Sequence, residues 1–337
     1  MKPARQVIAV GIVIIGVSAA MVVLTLALLR NGRIDKPQVP VSGVPVPPAE
    51  VRVKAVERKP EPSDHEVVEA STTVAIVCGA DPKTAERYEA RNDALRSIAR
   101  RRDLPEKDVA ALVAYLRSKD GAMRVERVAA LKNDIMNLLR SQEPPPKGLA
   151  ETLMGMFEGN SSTHDSPTHP HPSVVLDYCI QHLGAMLDEL DEKGRLRVRA
   201  VLAKAAKRTK QPYAGTALYS LAEDRRATSA QETELKRLTL ALCKPGVNNI
   251  ARIAAIQLAG ERGYAEALPV LRETFLGARR DAVLDIVCIG SVGLLGNADD
   301  IPILSRFSSD SRRAAAVDAA IQRIKERAGA VNVFRQD

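Results

Sequence analysis

Ile250 to Leu271 reads IARIAAIQLAGERGYAEALPVL and Val283 to Leu304 reads VLDIVCIGSVGLLGNADDIPIL; laid over each other, they put Pro269 on Pro302 and Gly263 on Gly296, 33 residues apart. A period of that length belongs to stacked two-helix units, each able to bury its apolar face only against its neighbours. Within the first unit Ile253, Ile256, Leu258 and Ala259 form a dense apolar run with small residues, which lets one helix lie close to two others. The glycines are expected past a helix C-terminus in the left-handed conformation. The prolines fit the first turn of the next helix, where no N–H is required. Asp310 then reads as the N-cap of a closing helix carrying Ala315, Ala319, Ile321 and Ile324.

On these residues the chain resembles the bacterial HEAT-like repeats of the armadillo-type α-solenoid class, over Asn248 to Ala328. Gly215 to Asp224 and Glu234 to Cys243 suggest one degenerate unit upstream. The resemblance implies a fold whose members are mostly scaffolds and adaptors, with a protein partner; it implies no cofactor.

Working towards the N-terminus, Asp81-Pro82 and Asp103 with Pro105 read as helix starts. Val109, Leu112, Val113 and Leu116 share one face of the second of these helices. Val125, Val128, Ile135, Leu138 and Leu139 line a third helix, stopped by Pro144-Pro145-Pro146, and Leu149, Leu153, Met156 and Phe157 mark a fourth. Helix after helix without an alternating strand makes the body all-α. Thr72 to Gly79 is apolar enough for a short strand or a segment docked on that body.

The other informative end is the first. Val7 to Leu29 is uncharged for 23 residues, enough at about 1.5 Å per residue to span a hydrocarbon core of roughly 30 Å. The small residues Val17-Ser18-Ala19 would suit a cleaved signal peptide, but the apolar run continues to Leu29, so an uncleaved anchor is expected. Lys2 and Arg5 on a six-residue tail favour a cytoplasmic N-terminus, which puts the body outside the bacterial cytoplasmic membrane on a single-pass anchor. Lys36 to Pro62 is rich in Pro and Val without helical period, the composition of a semi-rigid stalk. The expected organisation is thus a tail at 1–6, an anchor at 7–29, a stalk at 30–80, an N-terminal helical part at 81–210, HEAT-like repeats at 211–328 and a tail at 329–337.

Two clusters compete for function. His164, His169, His171, Cys179 and His182 include four of the chain's five histidines, the side chains that hold zinc when four converge. Their spacing matches no established site. Cys179 and His182, with Val175 and Met186, continue a stripe beside Leu176, Ile180, Leu183 and Leu187, the two stripes a sandwiched helix needs. The alternative to a scaffold is therefore a metal-binding module or metal-dependent enzyme centred on His164 to His182. The second cluster is basic. In a chain of formal charge +8, Gly194 to Lys210 carries Arg195, Arg199, Lys204, Lys207 and Arg208, expected to point outward over Leu196, Val198, Val201 and Leu202. An acidic protein or anionic lipid would suit such a face, and membrane attachment ranks nucleic acid last. Cys78, Cys179, Cys243 and Cys288 have no CxxC spacing, and the two later ones lie in apolar runs that predict buried thiols. No nucleophile elbow, phosphate loop, dinucleotide fingerprint or HExxH occurs, and the one His-Glu pair, His65-Glu66, falls in the stalk. No catalytic residue is assigned.

Overall fold

A computed structural model describes residues 72–81, 83–159, 173–277 and 281–333. The expected anchor, most of the stalk and His164, His169 and His171 lie outside the described residues. The body is all-α, with no strand among the described residues. A helical turn at 72–77 leads into α1 (Tyr88–Ile98), α2 (Glu106–Arg117), α3 (Val125–Arg140), α4 (Leu149–Glu158), α5 (Ser173–Ala185), α6 (Glu192–Ala206) and α7 (Tyr213–Ala222). Then come α8 (Ser229–Leu242), α9 (Asn249–Glu261), α10 (Leu268–Leu276), α11 (Ala282–Leu295), α12 (Asp300–Ser305) and α13 (Ala314–Val333). Among the described residues no helix is long and apolar enough to cross a membrane.

The helices form two rows. The odd-numbered helices pack each on the next, from α1 through α13, and every even-numbered helix from α2 onward packs on the odd helix that follows it. Both stripes of α5 are buried, because α5 has α3 and α7 on its flanks and α4 and α6 behind it. The odd row is packed tightly through glycine. A Cβ on Gly215 of α7 would stand 2.7 Å from the Ala254 Cβ of α9, and one on Gly293 of α11 would stand 2.7 Å from the Ala320 Cα of α13. Such contacts let the two backbones approach as larger side chains would not.

Helix ends repeat with the same period. Asn248 accepts from the N–H groups of Ile250 and Ala251, and Asp281, 33 positions later, accepts from those of Val283 and Leu284. Each oxygen satisfies donors that the first turn leaves open. At the other ends arginines supply donors to free carbonyls: Arg262 reaches Ala222 at the end of α7, and Arg327 reaches Gly293 and Gly296 at 2.8 and 2.7 Å.

Several expectations are corrected. Of the two readings of Thr72 to Gly79 the strand is corrected, since residues 72–77 are helical, while docking on the body holds, with Val74 and Val77, three apart, both buried in the core. The first helix starts at Tyr88 rather than at Asp81, whose carboxylate instead closes a turn by accepting from the Lys83 N–H at 3.0 Å. Gly263 has φ 70°, as expected past a helix end, but Gly296 is extended at φ −74°. A Cβ at position 296 would lie 2.4 Å from Asp300 Oδ2, so glycine is required there for close approach and not for handedness. Asp310 accepts from Arg312 N–H within a turn, and α13 starts only at Ala314.

Candidate functional site

The basic helix α6 turns two of its five basic residues inward. Arg195 and Arg199 are buried, and both donate through Nη1 to the same oxygen of Asp224, each at 2.6 Å. Asp224 follows α7 and has a fully buried side chain. Burial alone would raise its pKa, but hydrogen bonds from Arg199, the Arg226 N–H and Arg195 hold the carboxyl below its ordinary value. Arg208 is held as well, its guanidinium 4.4 Å from the Phe157 ring centre and bonded to the Tyr213 hydroxyl at 3.0 Å. Lys204 and Lys207 remain exposed, and Lys207 stands 3.7 Å from Glu234. The outward placement of Arg195 and Arg199 is therefore corrected. Leu196, expected beneath them, is the exposed residue. Asp224 decides this, since two guanidinium groups and one carboxylate can leave water together but not singly.

The histidine region divides. Among the described residues no group of three or more His, Cys, Asp or Glu is placed to hold a metal ion. His182 lies buried between α5 and α3, its Nε2 donating to Asn133 Oδ1 at 3.2 Å. Burial, with Arg140 nearby, pushes its pKa down to about 4, so the ring is neutral. Cys179 is fully buried, and desolvation pushes its thiol up to about 12. These two side chains serve as core.

A further buried cluster lies where the chain enters the body. Arg91, sandwiched between Gly79 and the Tyr115 ring, donates to Val77 O at 2.9 Å and to Asp120 Oδ2 at 2.7 Å, and Tyr115 donates to the same carboxylate at 2.6 Å. Lys132 Nζ donates to Leu116 O and Ser118 O at 2.8 and 2.6 Å, closing the end of α2; burial pulls its pKa down to about 8. A cavity of about 220 Å³ opens beside Arg91 and Asp120. Arg91, Tyr115 and Asp120 bind each other, which makes the cluster a clasp for the 72–81 segment, while Arg91 Nη2 is buried without a hydrogen-bond partner among the described residues.

What remains uncovered is the outer face of the odd row, and its chemistry is distinct. Helices α5, α7, α9 and α11 together carry one Lys or Arg, Arg252, which is buried and donates to Cys243 O at 2.8 Å. Across the face run Tyr88 of α1, Asp134 of α3, Asp177 and Tyr178 of α5, Thr216 and Tyr219 of α7, and Glu261 of α9. These groups are electrostatic neighbours in sequence around the row. Desolvation and then Asp134 raise the Tyr88 pKa, desolvation and then Asp177 and Asp134 raise that of Tyr178, and desolvation and then Glu261 raise that of Tyr219. Partial burial raises Asp177, Asp134 and Glu261 as well, opposed by Arg96 at Asp134 and by Arg262 at Glu261, and the Arg127 guanidinium stands 5.3 Å from the Tyr88 ring centre. Asp177 and Tyr178 of α5 and Thr216 and Tyr219 of α7 are half-buried on this face, where α5 and α7 pack together, while Asp134 and Glu261 are exposed. Thr216 Oγ1 donates to Asp177 Oδ1 at 2.6 Å and ties α7 to α5 at its centre. None of these residues was singled out in the sequence as a site. The absence of Lys and Arg from α5, α7 and α11 was the available signal.

Comparison with known proteins returned no matching family model, no matching curated protein and no matching solved structure. The class that fold and site define is an all-α protein of two packed helix rows, with tyrosines and carboxylates on the outer face of one of them.

Proposed function

We propose that this chain is a HEAT-like α-solenoid, held at the bacterial cytoplasmic membrane by Val7 to Leu29 with its body outside the cytoplasm, and that it acts as a protein-interaction scaffold. The observation that carries the reading is a contrast between neighbouring helices: α6 holds five basic residues, three of them exposed, while the outer face of α5, α7 and α9 holds Asp177, Tyr178, Tyr219 and Glu261. Stacked repeats present such faces as extended binding surfaces. Tyrosine supplies amphipathic contact area at low entropic cost. The 33-residue repetition of the caps Asn248 and Asp281 supports the solenoid reading, and the length of the apolar run supports the anchor.

The test is affinity capture from detergent-solubilised membranes with the full chain as bait. Three baits are compared: the natural chain, Tyr178→Ala with Tyr219→Ala, and Lys204→Ala with Lys207→Ala on the other row. A partner retained by the first and third and lost from the second is expected. Equal recovery by all three would sink the outer face of α5 and α7 as a binding surface. Deleting residues 7–29 is expected to move the chain from the carbonate-resistant membrane fraction to the supernatant.

A further inference from the structure

We infer that one edge of the helix stack rests on an anionic phospholipid surface, dipping aliphatic side chains between headgroups that its lysines and arginines bind. This rests on the membrane-anchor part of the proposed function and adds which side of the body meets the bilayer. The odd-numbered helices from α1 to α11 begin at one level. Glu89 of α1 pairs with Arg127 of α3 at 3.4 Å, Asn133 of α3 with His182 of α5 at 3.2 Å, and Thr216 of α7 with Asp177 of α5 at 2.6 Å. Asn249 of α9 donates to Asp281, the cap of α11, at 3.2 Å. Counted from their helix starts, the partners in each pair lie within one position of each other. The Asn248 N–H donates to Thr209 O at 2.8 Å and joins the connections that lead into α9 and α7. One edge of the body therefore gathers the starts of these helices and the ends of the even helices before them.

On this edge lie five of the seven large apolar side chains that the described residues leave exposed. Val125, Val174, Ile250 and Val283 take the first or second position of α3, α5, α9 and α11, and Leu276 ends α10. Single exposed aliphatics are ordinary on any surface, but these recur at one helix position along one edge. Cations stand among them: Lys119, Arg124, Lys207, Lys210, Lys244 and Arg312 are exposed in the connections of the same edge. The carboxylates of those connections are engaged, Asp120 by Arg91 and Tyr115, Asp281 and Asp310 by N–H groups of the turns they close. Exposed Glu126 and Glu158 offset part of the charge, and Lys207 stands 3.7 Å from Glu234. The opposite edge is mixed, its Arg100 and Arg102 set against Asp188, Glu189, Asp191 and Asp299.

The spread of these groups selects a bilayer as the occupant. From α3 to α11 the row takes four packing steps of about 8–10 Å, so the aliphatics span roughly 30–40 Å, which a lipid surface meets all at once. Aliphatic side chains that enter the headgroup boundary beside cations that reach phosphate are the chemistry of interfacial binding. Nucleic acid or an acidic protein would use the cations and leave the aliphatics in water. The chain also enters the body here, since Gly79 and Ala85 line a cavity of about 220 Å³ together with Ser118 to Ala122 of the α2–α3 connection. A body tethered through this edge to an anchor at 7–29 stays at high effective concentration beside the bilayer, where weak contacts suffice.

The chain has no tryptophan, so a single introduced one reports its own surroundings. Ile250→Trp and Val283→Trp place it on the edge, while Leu294→Trp and Leu196→Trp place it at exposed sites away from it. Each full-length variant, its fold confirmed by helical circular dichroism, is reconstituted into vesicles of dibrominated phosphatidylcholine with or without phosphatidylglycerol. Bromine on the acyl chains quenches tryptophan that enters the lipid. With phosphatidylglycerol present, quenching at positions 250 and 283 is expected to exceed that at 294 and 196 about twofold or more, and to fall as NaCl rises from about 0.05 M to about 0.5 M. Adding Lys210→Glu with Lys244→Glu to the Ile250→Trp chain is expected to reduce its quenching by about half or more. Equal quenching at all four positions, or edge quenching that neither phosphatidylglycerol nor the paired lysine change alters, overturns the inference. Edge tryptophans that respond to duplex DNA and not to vesicles would assign the edge to nucleic acid and overturn it also. Carbonate extraction reads the anchor separately. A carbonate-resistant chain with unquenched edge tryptophans loses the edge contact and keeps the anchor; quenched edge tryptophans on a chain that carbonate releases keep the edge contact and remove the anchor.

Discussion

Replacing Asp224 by alanine tests the interior of the molecule most directly. In the folded chain its side chain is fully buried, and one of its oxygens receives Arg195 and Arg199 at 2.6 Å each while the other accepts the Arg226 N–H at 3.0 Å. Alanine leaves Arg199 buried with its carboxylate partner gone, and leaves Arg195 only the exposed Glu192. Removing one member of a buried ionic cluster costs about 3–5 kcal/mol, because the stranded charge cannot regain water. For a body of this size each kcal/mol shifts the melting temperature by about 2–4 °C, so a fall of roughly 6–20 °C is expected. Thermal melts of the full chain, followed by circular dichroism at the helix band, read it. The matched control is Arg197→Ala, which breaks an exposed pair with Glu151 at 3.2 Å and should shift the midpoint by less than about 2 °C. Replacing all three cluster members by apolar residues of similar size should recover most of the loss, since a buried ion cluster is no more stable than a packed apolar one. An Asp224→Ala midpoint within about 3 °C of the parent would refute the reasoning and return Arg195 and Arg199 to the surface.

Three further outcomes are expected. Gly215→Val forces a side chain against Ala254 and Ala251 and should cost about 1–3 kcal/mol or more in urea unfolding, whereas Gly155→Ala, with nothing within 4 Å of its added methyl, should stabilise by about 0.5–1 kcal/mol; equal effects would contradict the close α7–α9 approach. His182 is held neutral with a pKa lowered to about 4, so the unfolded chain takes up a proton near its ordinary value first, and stability falls as pH drops below that value. Between about pH 7 and about pH 5 this one group removes roughly 2 kcal/mol, a loss that His182→Gln should lack in pH-dependent denaturant titrations. In native protein a thiol reagent should reach at most Cys78, and slowly, since burial pushes that thiol up to about 11, while Cys179, Cys243 and Cys288 should react only on unfolding; prompt reaction of all four would mean the helix rows open readily.

Much of the fold was legible along the chain because its determinants are local. The apolar spacing of α2 to α5, the prolines at the starts of α10 and α12, and the left-handed glycine after α9 act within one or two helical turns. Both stripes of α5 were readable for the same reason, and so were the buried thiols. The periodicity of α6 was visible too, but not the direction of its arginines. Leu196 and Arg195 are neighbours on one helix, and which of them faces the core depends on Asp224, 29 residues beyond Arg195 and brought back by the packing of α6 on α7. Gly296 likewise answers to Asp300 through space rather than to its own dihedral angle.

By itself, then, the sequence determined that the body is helical, that a two-helix pattern recurs in it, and which stripes are apolar, since those follow from short-range sterics, capping and burial. Only the tertiary structure decided which charged side chains are sealed inside and which face stays open. A carboxylate such as Asp177 or Asp224 has the same composition in either role; whether it meets an arginine or water is set by what the neighbouring helices bring within a few ångströms.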